Sequence, residues 1–162
     1  MSSAVPHIDT DAFRKACALF ASGVSVATVR AEDGTPHGLT VSSFTSVSIE
    51  PPLVLVCIDY GCVFLPHFRA ATKFAINVLS ETQRDISVAF AEKPEGRFDG
   101  LDWYSNLTGA PLLRDCLATL ECRVSAIVEA GDHAIFLGEV VHAESRPGKP
   151  LLYFDRDYRT LS

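Results

Sequence analysis

The sequence predicts a mainly β fold, an antiparallel barrel with short helices as cover. Leu120, Cys122, Val124, Ala126 and Val128 alternate with Glu121, Arg123, Ser125 and Glu129, and only Ile127 breaks the polar side. A period of two over that length marks a long, half-buried strand. Ile135, Leu137, Glu139 and Val141 continue on a second long strand, and the Gly131-Asp132-His133 turn joins the two as an extended hairpin. Elsewhere strand-like runs outnumber a few short helical ones, the pattern of a barrel with helical cover.

Taken in order, residues 1–8 read as a loose arm. Asp9 or Thr10 caps a helix with Phe13, Ala16, Cys17 and Phe20 on one face, and Ser22-Gly23 ends it. Val24 to Arg30 is rich in Val and Thr, which suits a strand. Glu32-Asp33-Gly34-Thr35 is a hairpin turn. The return strand leads into Gly38 to Pro52, where Pro51-Pro52 ends pairing because neither residue donates a backbone hydrogen bond. Leu53 to Ile58 is a continuous apolar run, fit for a strand buried on both faces. Asp59-Tyr60-Gly61-Cys62 is a turn, Val63 to Ala71 is weakly helical and interrupted by Pro66, and Phe74 to Leu79 is a strand. Ser80 and Gln83 form a capping box for a helix that groups Ile86, Ala89 and Phe90 and ends near Ala91. Lys93, Pro94 and Gly96 form a loop, residues 97–111 a surface excursion around Trp103, and Pro150 to Phe154 a short final strand. No linker divides the chain, so residues 1–162 are expected to form one domain.

The stretch Gly38 to Pro52 stands apart chemically. Thr40, Ser42, Ser43, Thr45, Ser46 and Ser48 set hydroxyls among its few apolar side chains. Such a surface can hydrogen-bond a flat, polar-edged ligand or a phosphate; an edge strand showing hydroxyls to water is the other reading. The net charge of −6, with no Lys/Arg cluster, argues against nucleic acid as a partner. No apolar run approaches the ~20 residues of a membrane helix, and no signal pattern opens the chain, so a cytoplasmic protein without a membrane partner is expected. The five cysteines include no Cys-x-x-Cys and the five histidines show no ligand spacing, so free thiols and no metal are expected.

Eight motifs then fall in one order. They are Phe20-Ala21-Ser22-Gly23-Val24, the run Gly38 to Ser48, Pro51-Pro52-Leu53-Val54, Phe74 to Leu79, Phe90-Ala91, Gly109-Ala110-Pro111-Leu112, Gly131-Asp132-His133 and Pro150-Leu151-Leu152-Tyr153. Together they resemble the flavin reductase domain that supplies reduced flavin to two-component monooxygenases. The resemblance runs from about Phe13 to Tyr158. It implies a split β-barrel, FMN-binding in type, that works as a homodimer. It also implies hydride transfer from NADH or NADPH to FMN or FAD, with the reduced flavin leaving for a separate oxygenase. A flavin carrier without nicotinamide turnover is the alternative that the same fold would support.

The resemblance also implies site residues. Thr40, Val41, Ser42 and Ser43 would line the isoalloxazine and ribityl chain, with Asn77, Val78 and Leu79 as a neighbouring wall. Ala91 and Lys93 would meet the flavin phosphate, together with the turn that holds Asp59, Gly61 and Cys62. His133 would border the nicotinamide as the catalytic residue, with Asp132 orienting its ring or capping the turn. Two positions depart from the family's pattern. Ser42 stands where Asn is frequent, and Gly61-Cys62-Val63 stands where Ser or Thr usually meets the phosphate. No Gly-x-Gly-x-x-Gly follows a strand, so the nicotinamide cofactor is expected as a transient substrate in an open groove.

Overall fold

A computed structural model describes residues 7–162; the first six residues of the expected arm lie outside the described residues. The elements run α1 (Thr10–Ala18), β1 (Ser22–Gly23), β2 (Ser25–Arg30), β3 (Pro36–Val41), β4 (Thr45–Ile49), β5 (Pro52–Asp59), α2 (Leu65–Ala70), β6 (Lys73–Val78), α3 (Arg84–Glu92), β7 (Trp103–Tyr104), β8 (Leu112–Leu113), β9 (Ala118–Ala130), β10 (His133–Ser145), β11 (Leu152–Phe154) and β12 (Asp157–Arg159). Seven strands pair antiparallel in the order β3-β2-β6-β9-β10-β5-β4. The two edge strands, β3 and β4, are consecutive in the chain, with only residues 42–44 between them. A sheet whose edges are tied that closely must curl, so it forms a barrel whose seam is the hydroxyl-rich stretch. Ser43 fastens the seam: its hydroxyl donates to Cys57 O at 3.2 Å and accepts the Cys57 N–H at 2.9 Å.

The barrel interior is apolar. Val29, Val54, Val56, Ile58, Phe68, Phe74, Ile76 and Phe136 meet there, all essentially without exposure. A second core lies under α3, where Phe90 packs with Val24, Val26, Leu79, Leu113 and Leu151. The capping box read from Ser80 and Gln83 is formed, across a short 3-10 turn that opens α3.

Several local expectations are corrected. α1 is capped by Asp9, whose side chain accepts the Asp11 N–H, but none of its residues is buried. Ser22-Gly23 does not simply end that helix; it pairs with Tyr153-Leu152 on β11. Pro51-Pro52 does not end pairing, because it forms the turn of the β4–β5 hairpin, with Ile49 opposite Pro52. β5 buries Val54, Val56 and Ile58, while Leu53, Leu55 and Cys57 on its other face are half-buried. Pro66 starts α2 rather than interrupting it, since its missing N–H falls where a helix has no partner for one. Residues 97–111 are not a plain surface excursion. Trp103 packs edge-on against Phe98 at 5.7 Å, β7 pairs with β8, and Ala110 is buried.

The β9–β10 hairpin carries two irregularities. Leu137 pairs with Ala126 but Gly138 pairs with Val124, so Ser125 bulges out of β9. The bulge turns Ile127 inward toward the core that Cys122 and Val124 also face, which is why the sequence alternation breaks there. Gly138 lies opposite, where a Cβ would collide with the Phe74 ring. Glu121, read as a solvent-facing residue, is fully buried under residues 106–108. Its carboxylate accepts the Thr108 N–H at 2.7 Å, the Thr108 hydroxyl at 2.8 Å and the Asn106 amide at 3.2 Å, which satisfies it.

Candidate functional site

The site begins where α3 lies on β3. A Cβ at Gly38 would stand 2.9 Å from the Phe90 ring and 3.0 Å from Ala27 O, so only glycine lets helix and strand approach so closely. One turn earlier in α3, Thr40 Oγ1 donates to Ser87 O at 2.6 Å, and the Ser87 hydroxyl lies 2.7 Å from the Tyr158 hydroxyl. Between these elements opens a cleft of about 160 Å³ against Val24, Thr40, Ser42, Ser87, Ala91 and Tyr158. It carries hydroxyls and aromatic surface and no charge. At Ser42 and Tyr153 it continues into a broader cleft of about 550 Å³ beside α1.

A groove of about 230 Å³, lined by Gly38, Phe64, Glu95 and Arg97 among others, lies at the other end of β3. Arg97 Nη1 donates to Gly38 O at 2.8 Å, its Nε donates to Lys93 O, and its guanidinium sits 4.3 Å above the Phe64 ring. Burial pulls the Arg97 pKa below its ordinary value, and the negative charge of a nearby Cys62 thiolate opposes that shift. The turn before Phe64 is preset: Asp59 Oδ1 accepts the Gly61 N–H at 2.6 Å, and Asp59 O accepts the Cys62 N–H at 3.0 Å. A half-buried cation held by two carbonyls is a ready anion partner. Sequence reasoning missed Arg97. Its only local signal was one more basic residue in the loop after α3, and the fold alone brings it to Gly38 and Phe64.

His133 opens β10 directly opposite Asp59. Gly131 takes a φ of +61° in the turn, and Asp132 O accepts the Tyr60 N–H at 2.9 Å, which ties the hairpin tip to the turn after β5. His133 Nδ1 lies 2.6 Å from Asp132 Oδ1, and Nε2 lies 4.0 Å from Asp59 Oδ2. The hydrogen bond from His133 holds the Asp132 carboxyl below its usual range; the His133 charge adds to this, and the Arg14 charge makes a smaller contribution. Asp59, Asp132 and His133 thus bring three ligating atoms within 4.8 Å of one another on the exposed rim.

Not every expected residue reaches a ligand surface. Asn77 is fully buried: its Nδ2 donates to Val26 O at 3.1 Å and Thr28 Oγ1 at 3.3 Å, and its Oδ1 accepts the Leu113 N–H at 2.8 Å. An amide so occupied ties β6 to β2 and β8 and has nothing left for a flavin. Leu79 and Val41 are core residues as well. Ser43 serves the barrel seam, and Val78, half-buried, pairs with Ser25 and Ala118. Thr40, Ser42 and Ala91 share the β3–α3 cleft. Gly61 and Cys62 lie at the turn beside Arg97, and Lys93 is exposed at the α3 C-terminus. His37 and His67, given no role, stack at 3.7 Å.

The chain is 45% identical over 141 residues to the FMN reductase (NADH) SmoA of Agrobacterium fabrum, covering 87% of this chain and 80% of that protein. It is 41% identical over 137 residues to the stachydrine N-demethylase reductase subunit Stc3 of Rhizobium meliloti, covering 85% of this chain. The chain spans 60% of the length of Stc3 and 44% of that of another Rhizobium meliloti relative. Its fold matches the NADH:FAD oxidoreductase SgcE6 of Streptomyces globisporus C-1027 with a TM-score of 0.90 at 37% identity, over 100% of this chain and 99% of that one. The model of the flavin reductase like domain matches residues 17–162, and the chain belongs to that family.

Proposed function

We propose that this protein is an NAD(P)H-dependent flavin reductase that reduces FMN or FAD and passes the reduced flavin to a separate oxygenase. The uncharged, hydroxyl-lined cleft at Thr40, Ser42 and Ala91, in a chain of this family, carries the reading. The residues fit a flavin. The cleft suits a neutral, polar-edged ring, and Arg97 with the Gly61–Cys62 turn suits its phosphate. When bound, the flavin and the nicotinamide cofactor supply the redox chemistry of hydride transfer themselves.

The chain's own residues bind, orient and exclude. Ser42, Ala91 and Tyr158 would hold the flavin ring, Ser42 supplying a hydroxyl for its polar edge. Arg97 offsets phosphate charge from a partly dry position, where the interaction is stronger than in water. Asp132 holds the His133 ring in one direction, and His133 would border the nicotinamide. The open clefts let both ligands exchange, as a reductase that releases its product requires.

We further propose a cytoplasmic homodimer. Val47, Ile49 and Val128 are exposed, and Leu53, Leu55, Ile135 and Leu137 are half-buried on the outer faces of β5 and β10, an apolar surface that a second copy would cover. The five cysteines are unpaired, in keeping with a reducing compartment. Among the described residues, no helix is long and apolar enough to cross a membrane. Sedimentation at micromolar concentration should show the dimer. The functional test mixes the protein with each flavin and each reduced nicotinamide cofactor. Loss of the reduced nicotinamide absorbance, with oxygen consumed by the released flavin, is expected; bound flavin with no nicotinamide oxidation would make the protein a carrier instead.

A further inference from the structure

We propose that the cleft between the β2–β3 turn, the end of α2 and the start of β6 binds a small zwitterion, a molecule of the amino acid or betaine class that carries a carboxylate and a positively charged nitrogen. The cleft holds about 530 Å³, within the ~300–1,000 Å³ typical of small-molecule pockets. It shares no lining residue with the flavin cleft, the Arg97 groove or the cleft beside α1, so it stands apart from the proposed redox site.

One wall gathers cations that the sheet has no use for. β2 and β6 pair from Ser25 opposite Val78 to Thr28 opposite Ala75. The same register carried two residues further sets Arg30 level with Lys73, and Lys73 is itself paired with Arg123 on β9. Like charges opposite one another on neighbouring strands destabilise a sheet. Arg123 has Glu139 as a partner at 3.2 Å. Arg30 and Lys73 both line the cleft, and among the described residues neither forms an ion pair. The Trp103 ring, 5.1 Å from the Arg30 guanidinium, engages its face and not its N–H groups. Two neighbouring, uncompensated cations in one cleft make a seat for a carboxylate.

The turn after β2 carries the opposite sign. Glu32 and Asp33 line the same cleft and form no ion pair either. Four charges, two of each sign, thus share one cleft without neutralising one another. The turn is held by its own backbone: the Ala31 N–H donates to Thr35 O and the Gly34 N–H to Ala31 O, both at 2.9 Å. Asp33 Oδ1 accepts the Thr35 N–H at 2.9 Å, a bond that keeps its carboxyl below the usual range. The rest of the lining is mostly small, with Ala31, Ala70, Ala71 and Ala110, which leaves room between the charges. A simple anion would meet Glu32 and Asp33, and a simple cation would meet Arg30 and Lys73. A molecule with both charges complements both walls.

The test titrates the whole protein, by saturation-transfer NMR, with glycine betaine and a panel of amino acids. Two controls each lack one charge: tert-butylacetate is the carbon isostere of glycine betaine without the positive nitrogen, and choline lacks the carboxylate. Glycine betaine should bind wild type about threefold or more tightly than either control, as expected when one partly exposed charge contact is lost. Lys73→Met should weaken glycine betaine and tert-butylacetate alike. Glu32→Gln/Asp33→Asn should weaken glycine betaine and leave tert-butylacetate unchanged or tighter; its amide oxygen still accepts the Thr35 N–H, so the turn is kept. Melting curves check that both variants fold. Should one not fold, the His67 ring protons of wild type decide, since His67 lines the cleft and its signals must shift as glycine betaine is added. The proposal is overturned if neither glycine betaine nor any amino acid binds, or if both variants bind glycine betaine as wild type does. It is also overturned if tert-butylacetate matches glycine betaine, which would leave an anion site only. No step of the test uses flavin or NADH, so its outcome is independent of the reductase reading.

Discussion

His133 Nδ1 and Asp132 Oδ1 stand 2.6 Å apart at the tip of the β9–β10 hairpin, and Asp59 approaches the far side of the same ring. The ring is fixed by groups that lie outside the β3–α3 cleft. His133→Ala should therefore leave flavin affinity and melting temperature near wild type. It should lower kcat/KM for the reduced nicotinamide about two- to tenfold, the worth of one hydrogen bond of roughly 0.5–1.5 kcal/mol. Stopped-flow reduction of bound flavin checks this; an unchanged rate at every nicotinamide concentration would return His133 to a plain turn residue.

Asn77 is expected to be a stability residue. Asn77→Ala removes the acceptor of the buried Leu113 N–H and the donor to Val26 O. Stranding buried polar groups costs about 1–3 kcal/mol. Urea denaturation should show that loss, while flavin affinity of the folded variant stays unchanged. Weaker flavin binding with full stability would put Asn77 back in the site.

Arg97 should read the flavin phosphate. Arg97→Ala is expected to weaken FMN by about tenfold or more, since a hydrogen bond to a charged group is worth roughly 1.5–3 kcal/mol. Lumiflavin, which has the ring and no phosphate, should bind the variant as it binds wild type. Arg97→Lys should recover part of the loss. Equal weakening of both flavins would make Arg97 a packing residue over Phe64.

Glu129 supplies a pH test. Hydrogen bonds from Arg69 and then Tyr60 hold its carboxyl at about 2, against an ordinary value of 4.5. A carboxyl lowered on folding adds stability that is fully present above 4.5 and lost as pH falls toward 2. The group is exposed, so the effect should be modest and should shrink in salt. Melting curves of wild type and Arg69→Met should differ at neutral pH and converge across that acid window. A gap that stays constant with pH would mean that Arg69 acts through packing on Tyr60, over whose ring it sits at 5.9 Å.

Periodicity, caps and turn residues were enough to locate the long β9–β10 hairpin, the start of α1 at Asp9 or Thr10 and the Ser80–Gln83 box, because each depends on neighbours a few residues away. The motif order was enough for the family. By itself, then, the sequence determined the strand content, the turn that carries His133 and the hydroxyls of the seam. Tertiary structure alone decided what those groups face. Asn77 was a ligand residue by resemblance alone, whereas its amide is taken up by Val26, Thr28 and Leu113, distant in the chain. Glu121 looked solvent-facing until residues 106–108 closed over it. Arg97 became an anion partner, and Arg14 and Arg156 became neighbours of one cleft, only when the barrel closed. Hydrogen-bond satisfaction and charge proximity are set by distances in space, and no local pattern encodes distances between residues so far apart along the chain.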